Sequence, residues 1–233
     1  MALKNNGAER VLACAVHGVL SGPAIERIEK LRIAMDPQAF YVAKTLEMRQ
    51  RHTKHENTPY ALEPNCKESP GGLRDLHLIL WVARAAGLGK RWDELAHSGL
   101  ATPYEVRQIQ RNEALLFLIR ARLHAMAGRR EDRLVFDLQT AVAESFGYTS
   151  SKVQRASEVL MHRYYWAAKA VTQLNQILML NIEERINGSE AAPMRQINAR
   201  FLDRAGMLEV AEDNLYLDNP HAILETFLVF QQT

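Results

Sequence analysis

The sequence predicts a mainly α fold: a helical bundle that ends in a short β-hairpin or meander. Three observations predict it. Apolar residues recur at three- and four-residue steps up to about residue 186. Proline and glycine punctuate the ends of most of those stretches, and the longest run holds neither until Gly188. After about residue 195 the apolar spacing shifts to alternation.

Residues 8–20 and 23–34 read as two short helices broken by Ser21-Gly22-Pro23. Asp36 can cap a third, with Pro37 in its first turn, running to about His55 before Thr58-Pro59. Tyr60, Ala61 and Leu62 read as a short extended stretch. From Leu73 a helix carries Leu73, Leu76, Leu80 and Ala83 on one face and stops near Gly87 or Gly89. Thr102-Pro103-Tyr104-Glu105 is a capping-box start. Val106, Ile109, Leu116, Leu123 and Met126 form its stripe, and Gly128 its stop. Another helix fits Leu134 to Phe146. The longest spans about 151–186, with Val153, Ala156, Leu160, Ala167, Val171, Leu174, Leu178 and Asn181 in register. Ile197, Ala199 and Phe201, then Met207, Leu208 and Val210, then Leu215 to Leu217, read as two or three short strands. Asn219-Pro220 opens a last helix with Ala222, Ile223, Phe227 and Phe230 apolar.

Of the 233 residues, 47% are hydrophobic and 24% charged, a globular and not a disordered balance. The 29 Lys and Arg against 27 Asp and Glu leave +2, which gives no global electrostatic drive toward nucleic acid. No run approaches the ~20 apolar residues of a membrane helix, and no signal peptide is visible. The chain is therefore expected to be soluble and cytoplasmic, with no nucleic-acid or membrane partner. Cys14 and Cys66 lack metal spacing and read as reduced thiols.

Two stretches are dense in charge. The first, Glu63 to Asp75 (EPNCKESPGGLRD), has two readings. It is a stiff surface connector, or it is an anion site in which Gly71-Gly72 admit a ligand to the next helix's amides beside Lys67 and Arg74. The second holds Arg129, Arg130 and Arg133 with Glu131 and Asp132: a solvated loop of local ion pairs, or a phosphate grip. The aromatics of His162-Arg163-Tyr164-Tyr165-Trp166 read as core, and His77, His124 and His162 as structural. No Asp-x-Asp pair and no His-Asp dipeptide occurs, so no catalytic residue and no metal ligand is assigned.

Taken together, several stretches resemble one family, the bifunctional uridylyltransferase and uridylyl-removing enzymes that modify the bacterial nitrogen-signalling protein PII. They are Asp36-Pro37-Gln38-Ala39-Phe40, Leu62-Glu63-Pro64-Asn65, Lys67 through Asp75, Ala127 through Leu134, Phe136-Asp137, Arg163-Tyr164-Tyr165 and Ala168-Lys169-Ala170. The resemblance runs from about residue 22 to the end. It implies a helical bundle following a nucleotidyltransferase domain, with a phosphohydrolase domain beginning near the end. The organisation it suggests is N-terminal helices over 1–58, a charged connecting segment over 59–75, the bundle over 76–190, and short strands with the first helix of the next domain over 191–233. It also implies UTP and Mg²⁺ as the full-length enzyme's substrate and cofactor, and PII as its partner. The chain is expected to be a fragment, inactive by itself. Lys67, Arg74, Asp75, Arg129, Arg130 and Arg133 are its nucleotide, phosphate or interdomain candidates. The alternative is a stand-alone helical protein-interaction module.

Overall fold

The structure, a computed structural model, describes residues 36–188, 193–204 and 206–232. The helices expected over 8–20 and 23–34, with Cys14, lie outside the described residues. The chain divides into two compact units, the first ending at Glu183 and the second beginning at Glu184.

Among the described residues the first unit is helix and turn, apart from one isolated bridge between Asn65 and Arg133. Its elements are α1 (Pro37–Thr53), α2 (Leu73–Ala85), α3 (Trp92–His97), α4 (Pro103–Ala127), α5 (Phe136–Ser145) and α6 (Ala156–Asn187), the last reaching past the unit boundary. Caps set the ends that the sequence predicted. The Asp36 carboxylate accepts from the amides of Gln38 and Ala39, at 2.9 and 3.3 Å. Thr102 and Glu105 close their capping box, and Gly128 ends α4 in the left-handed conformation.

Helix α2 is the centre of the unit. Leu73, Leu76, Leu78, Ile79, Val82 and Ala83 are all buried, which is how a helix apolar on more than one face must sit. It packs against α1 and α4. Leu80, expected on the core face, is only half-buried. On α4 the stripe of Val106, Ile109, Leu116 and Leu123 is buried with Ile119, while Met126 is exposed.

Several expectations give way to local hydrogen bonds. Helix α5 starts at Phe136 because the Leu134 amide donates to the Pro64 carbonyl across the chain at 2.8 Å. Helix α6 starts at Ala156 because the Ser151 hydroxyl accepts from the amides of Val153 and Gln154, holding a turn, and Ser150 receives the Ala156 amide. Val153 is consequently exposed and outside the stripe. Residues Tyr60 to Leu62 form turns and bends and no strand. Of the aromatics on α6, Tyr164 is buried, but Trp166 is 62% exposed, so the expectation of an all-core cluster fails there.

The second unit holds β1 (Met194–Gln196), β2 (Phe201–Arg204) and β3 (Met207–Val210) in one antiparallel sheet of that order, then α7 (Leu215–Asp218) and α8 (Ala222–Gln232). Arg204 pairs with Met207, the register of a tight hairpin. Ile197 and Ala199 are turn residues: the Asn198 side chain accepts from the amides of Arg200 and Phe201. The strand expected at Leu215 to Leu217 is helix α7. A strand would put both leucines on one face, yet Leu215 is buried and Leu217 exposed. Phe201, Leu215, Ala222 and Val229 form this unit's core, whereas Ile223, Phe227 and Phe230 are exposed.

One contact fixes the approach of α6 to the segment before α2. Gly71 has φ +76°, and a Cβ there would lie within 2.8 Å of Ala168 Cα and drive into the Ala168 carbonyl. Gly71→Ala is therefore expected to lose about 3–5 kcal/mol, from left-handed strain plus overpacking. Gly87→Ala, also at positive φ but facing open space, is expected to lose about 1–2 kcal/mol. Denaturant unfolding of both variants checks the difference; equal losses would refute the packing account.

Candidate functional site

The two charge-dense stretches meet. The Cys66 amide donates to the Asp132 carbonyl and the Leu134 amide to the Pro64 carbonyl, each at 2.8 Å, forming an antiparallel bridge between Asn65 and Arg133. The Glu63 carboxylate accepts from the Phe136 amide at 2.8 Å and so caps α5. Its Oε2 lies 3.4 Å from Arg133.

The Glu63–Asp75 segment is not a surface connector. Pro64, Cys66, Ser69, Pro70, Gly71, Gly72 and Leu73 are buried. It folds on itself in a series of short loops. The Asn65 side chain accepts from the amides of Lys67 and Glu68, and the Ser69 hydroxyl from the Asn65 amide. The amides that open α2 are already engaged: Gly72 to Ser69 O, Leu73 to Cys66 O, Arg74 to Lys67 O and Asp75 to Gly72 O. The Gly71 amide donates to Asp75 Oδ2 at 2.8 Å. Charge recognition in this segment thus rests on side chains.

Asp75 is 1% exposed. Arg51 and His52, at the end of α1, both reach its carboxylate, His52 through Nε2 at 2.9 Å. Its backbone carbonyl accepts from Asn175 of α6 at 2.9 Å. Removing one partner of such a buried pair costs about 3–5 kcal/mol.

Two further carboxylates organise the cations. Glu68 lies 3.1 Å from Lys67, 3.0 Å from Arg74 and 3.8 Å from Arg51. Burial raises its pKa, but the Lys67 and Arg74 hydrogen bonds more than offset that, and the net shift is downward. Asp132 lies 2.6 Å from Arg120, 3.1 Å from His124 and 3.6 Å from Arg130. There too burial is outweighed, by the bonds from Arg120 and His124, and the pKa falls. Arg129 pairs with Glu131 at 3.0 Å; Arg129, Arg130 and Arg133 are all exposed. Arg74 also lies over the Trp81 ring at 5.5 Å. The Cys66 thiol, fully buried, is pushed up to about 12 and is inert.

Sequence reasoning picked out Lys67, Arg74, Asp75 and the three loop arginines. It missed Arg51, His52, Glu68, Arg120 and His124 as partners in these clusters, whereas the local ion pairs expected of Glu131 and Asp132 with the loop arginines are present. Glu68 and Asp132 lay inside the motifs themselves. Arg51, His52 and Arg120 sit on helices whose packing no local signal announces.

His77 and His55 have lowered pKa values, first through burial. For His77 the cations Arg74, Lys67 and Arg120 add to it; for His55, Arg51, His52 and Arg133 do. Each folded-state pKa lies below the unfolded value near 6.5, so the unfolded chain takes up the proton first. Their contribution to stability is full above about pH 6.5 and is lost as pH falls below it. The depressed Glu68 and Asp132 add a second loss below about pH 4. Denaturation midpoints are expected to fall between about pH 7.5 and about pH 5.5, and His77→Gln to shrink that fall. A midpoint that rises on acidification would contradict the assignment.

Comparison with known proteins fits this geometry to a family. The family model described as GlnD PII-uridylyltransferase matches residues 39–179. A bifunctional uridylyltransferase/uridylyl-removing enzyme of Cupriavidus pinatubonensis is 64% identical over 199 residues, 85% of this chain and 23% of that protein. Its counterpart in Cupriavidus metallidurans is 62% identical over the same span, and one in Burkholderia mallei 57% over 205 residues, 88% of this chain and 24% of that protein. No solved structure gave a significant match. The chain spans about a quarter of the length of these relatives, and it belongs to the PII-uridylyltransferase family.

Proposed function

We propose that this chain is the helical region of a cytoplasmic PII uridylyltransferase, the enzyme that moves UMP from UTP to a tyrosine of PII and releases diphosphate. The observation that carries the reading is the 64% identity to a bifunctional uridylyltransferase/uridylyl-removing enzyme over 85% of the chain. In it the Glu63–Asp75 segment acts as a rigid strut. Asp75 ties it to α1 and α6, so the cations it carries hold fixed positions. Arg129, Arg130 and Arg133 stand exposed on the loop paired with the strut and offer guanidinium forks to a phosphate or to a neighbouring domain.

Mg²⁺ belongs to the proposed reaction, but the residues here do not fit it. Among the described residues no three His, Cys, Asp or Glu side chains are grouped to hold a metal ion, and Glu68, Asp75 and Asp132 each face cations instead. No step through the metal is assigned to this chain. Among the described residues no helix is long and apolar enough to cross a membrane.

Incubated alone with PII and radiolabelled UTP, this chain is expected to transfer no label and to remove no UMP from uridylyl-PII. Labelling by the chain free of host enzyme would overturn the reading. In a full-length relative carrying the same segment, Asp75→Ala is expected to lower the melting temperature and both activities together, because about 3–5 kcal/mol of packing is lost. Arg130→Ala is expected to leave the melting temperature within about 1–2 °C, since exposed pairs contribute little. Unchanged stability in Asp75→Ala would remove the strut.

A further inference from the structure

The charges around the strut do not balance. Five cations, Arg51, Lys67, Arg74, Arg120 and Arg130, share three carboxylates, Glu68, Asp75 and Asp132. Arg130 is exposed, but the other four cations are not. Lys67, Arg74 and Arg120 are each only 20–24% exposed. Lys67 and Arg74 share Glu68, and Arg120 holds Asp132, whose backbone carbonyl takes the amide of Cys66, the residue before Lys67; His77 lies nearby on α2. Its ring sits 5.9 Å from Trp81 and 6.3 Å from Phe117, and it feels all three cations. All three are held in place, Lys67 by Glu68, Arg74 by Glu68 and the Trp81 face, Arg120 by the 2.6 Å bond to Asp132. Half-buried, oriented cations in excess of their counter-ions attract a compact anion more strongly than the same charges would in open water.

We infer that Lys67, Arg74 and Arg120, where the strut and α2 meet α4, bind a phosphate-bearing anion. The positive excess of these three cations over Glu68 and Asp132 suits a phosphate group, which carries nearly two negative charges at neutral pH. Guanidinium forks at Arg74 and Arg120 match its oxygens, and Lys67 supplies a point charge. The Phe117 ring, partly exposed beside His77, extends the site toward an aromatic base. The inference concerns binding by this chain itself. It stands or falls separately from the proposed uridylyltransferase reading, because no activity is measured.

The test follows the His77 ring by NMR in the 233-residue chain, with inorganic phosphate, diphosphate and UTP in separate arms. A bound anion favours the protonated ring, so each effective ligand is expected to raise the His77 pKa. Lys67→Met and Arg120→Met, checked for fold by circular dichroism, are each expected to weaken phosphate binding about tenfold to a hundredfold, the loss of one charge-assisted contact. Arg195→Ala, in the other unit, is expected to leave it unchanged. UTP binding at least about tenfold tighter than diphosphate would assign the site to a nucleotide; equal binding would assign it to the phosphate groups alone. An unmoved His77 in wild-type protein at roughly 10 mM phosphate, a concentration that saturates even a millimolar site, overturns the inference. So does binding that survives both Met variants.

Discussion

A buried carboxylate is tolerated only where charge and hydrogen bonds meet it from every side. Asp75 satisfies that demand with Arg51, His52 and the Gly71 amide, while its own carbonyl holds Asn175. Those partners come from the end of α1, the loop ahead of α2, and α6. One acid therefore sets the relation of three parts of the first unit. Replace it with a neutral apolar group and Arg51 is left buried beside a single distant carboxylate, Glu68 at 3.8 Å. The remaining features of the strut, including the tight passage of Gly71 under Ala168, presuppose that this arrangement is in place.

The same economy appears at Glu68 and Asp132. Each carboxylate gathers cations from different parts of the chain: Glu68 from α1, α2 and the strut, Asp132 from α4 and the loop after it. Isolated exposed pairs contribute little to stability, but here several side chains share each acid and lose little further freedom in doing so. The product is positional. Lys67, Arg74 and Arg120 point where their acids hold them, which is the condition for selective recognition of an anion. The loop arginines 129, 130 and 133, solvated and singly paired, lack that constraint.

Much of the helical order was legible because caps are local. Asp36-Pro37, Thr102 with Glu105, and Gly128 each act within four residues, and each sits where expected. The losses were longer-ranged or competed locally with the period. Leu134 leaves its helix for Pro64, seventy residues earlier in the chain. Ser151 and Asn198 turn the chain with their own side chains inside apparently periodic runs. The short α3, resting on Trp92 and Leu95, is too brief to show a period. The strut misled most. Its composition reads as solvent-facing, yet Pro64, Pro70, Gly71 and Gly72 are buried, Gly71 against Ala168 of α6 and Gly72 against the carbonyls of Lys67 and Ser69. Lys67, Arg74 and the acids Glu68 and Asp132 stood in the motifs; Arg51 and Arg120, which reach those acids from other helices, were visible only once the helices were packed.

The ties that complete the first unit span long stretches of chain: Asn175 to Asp75 across 100 residues, Tyr165 to Ala61 across 104, Tyr41 to Glu183 across 142. On a ribosome adding about 5–20 residues per second, a hundred residues take roughly 5–20 s. Helices α1 and α2 thus emerge well before the helix that must cover them. Through that interval the Asp75 carbonyl lacks Asn175 and Gly71 has no neighbour to touch. Completion of this unit is paced by translation, and a nascent chain stalled before Ala156 would lack all three of these ties.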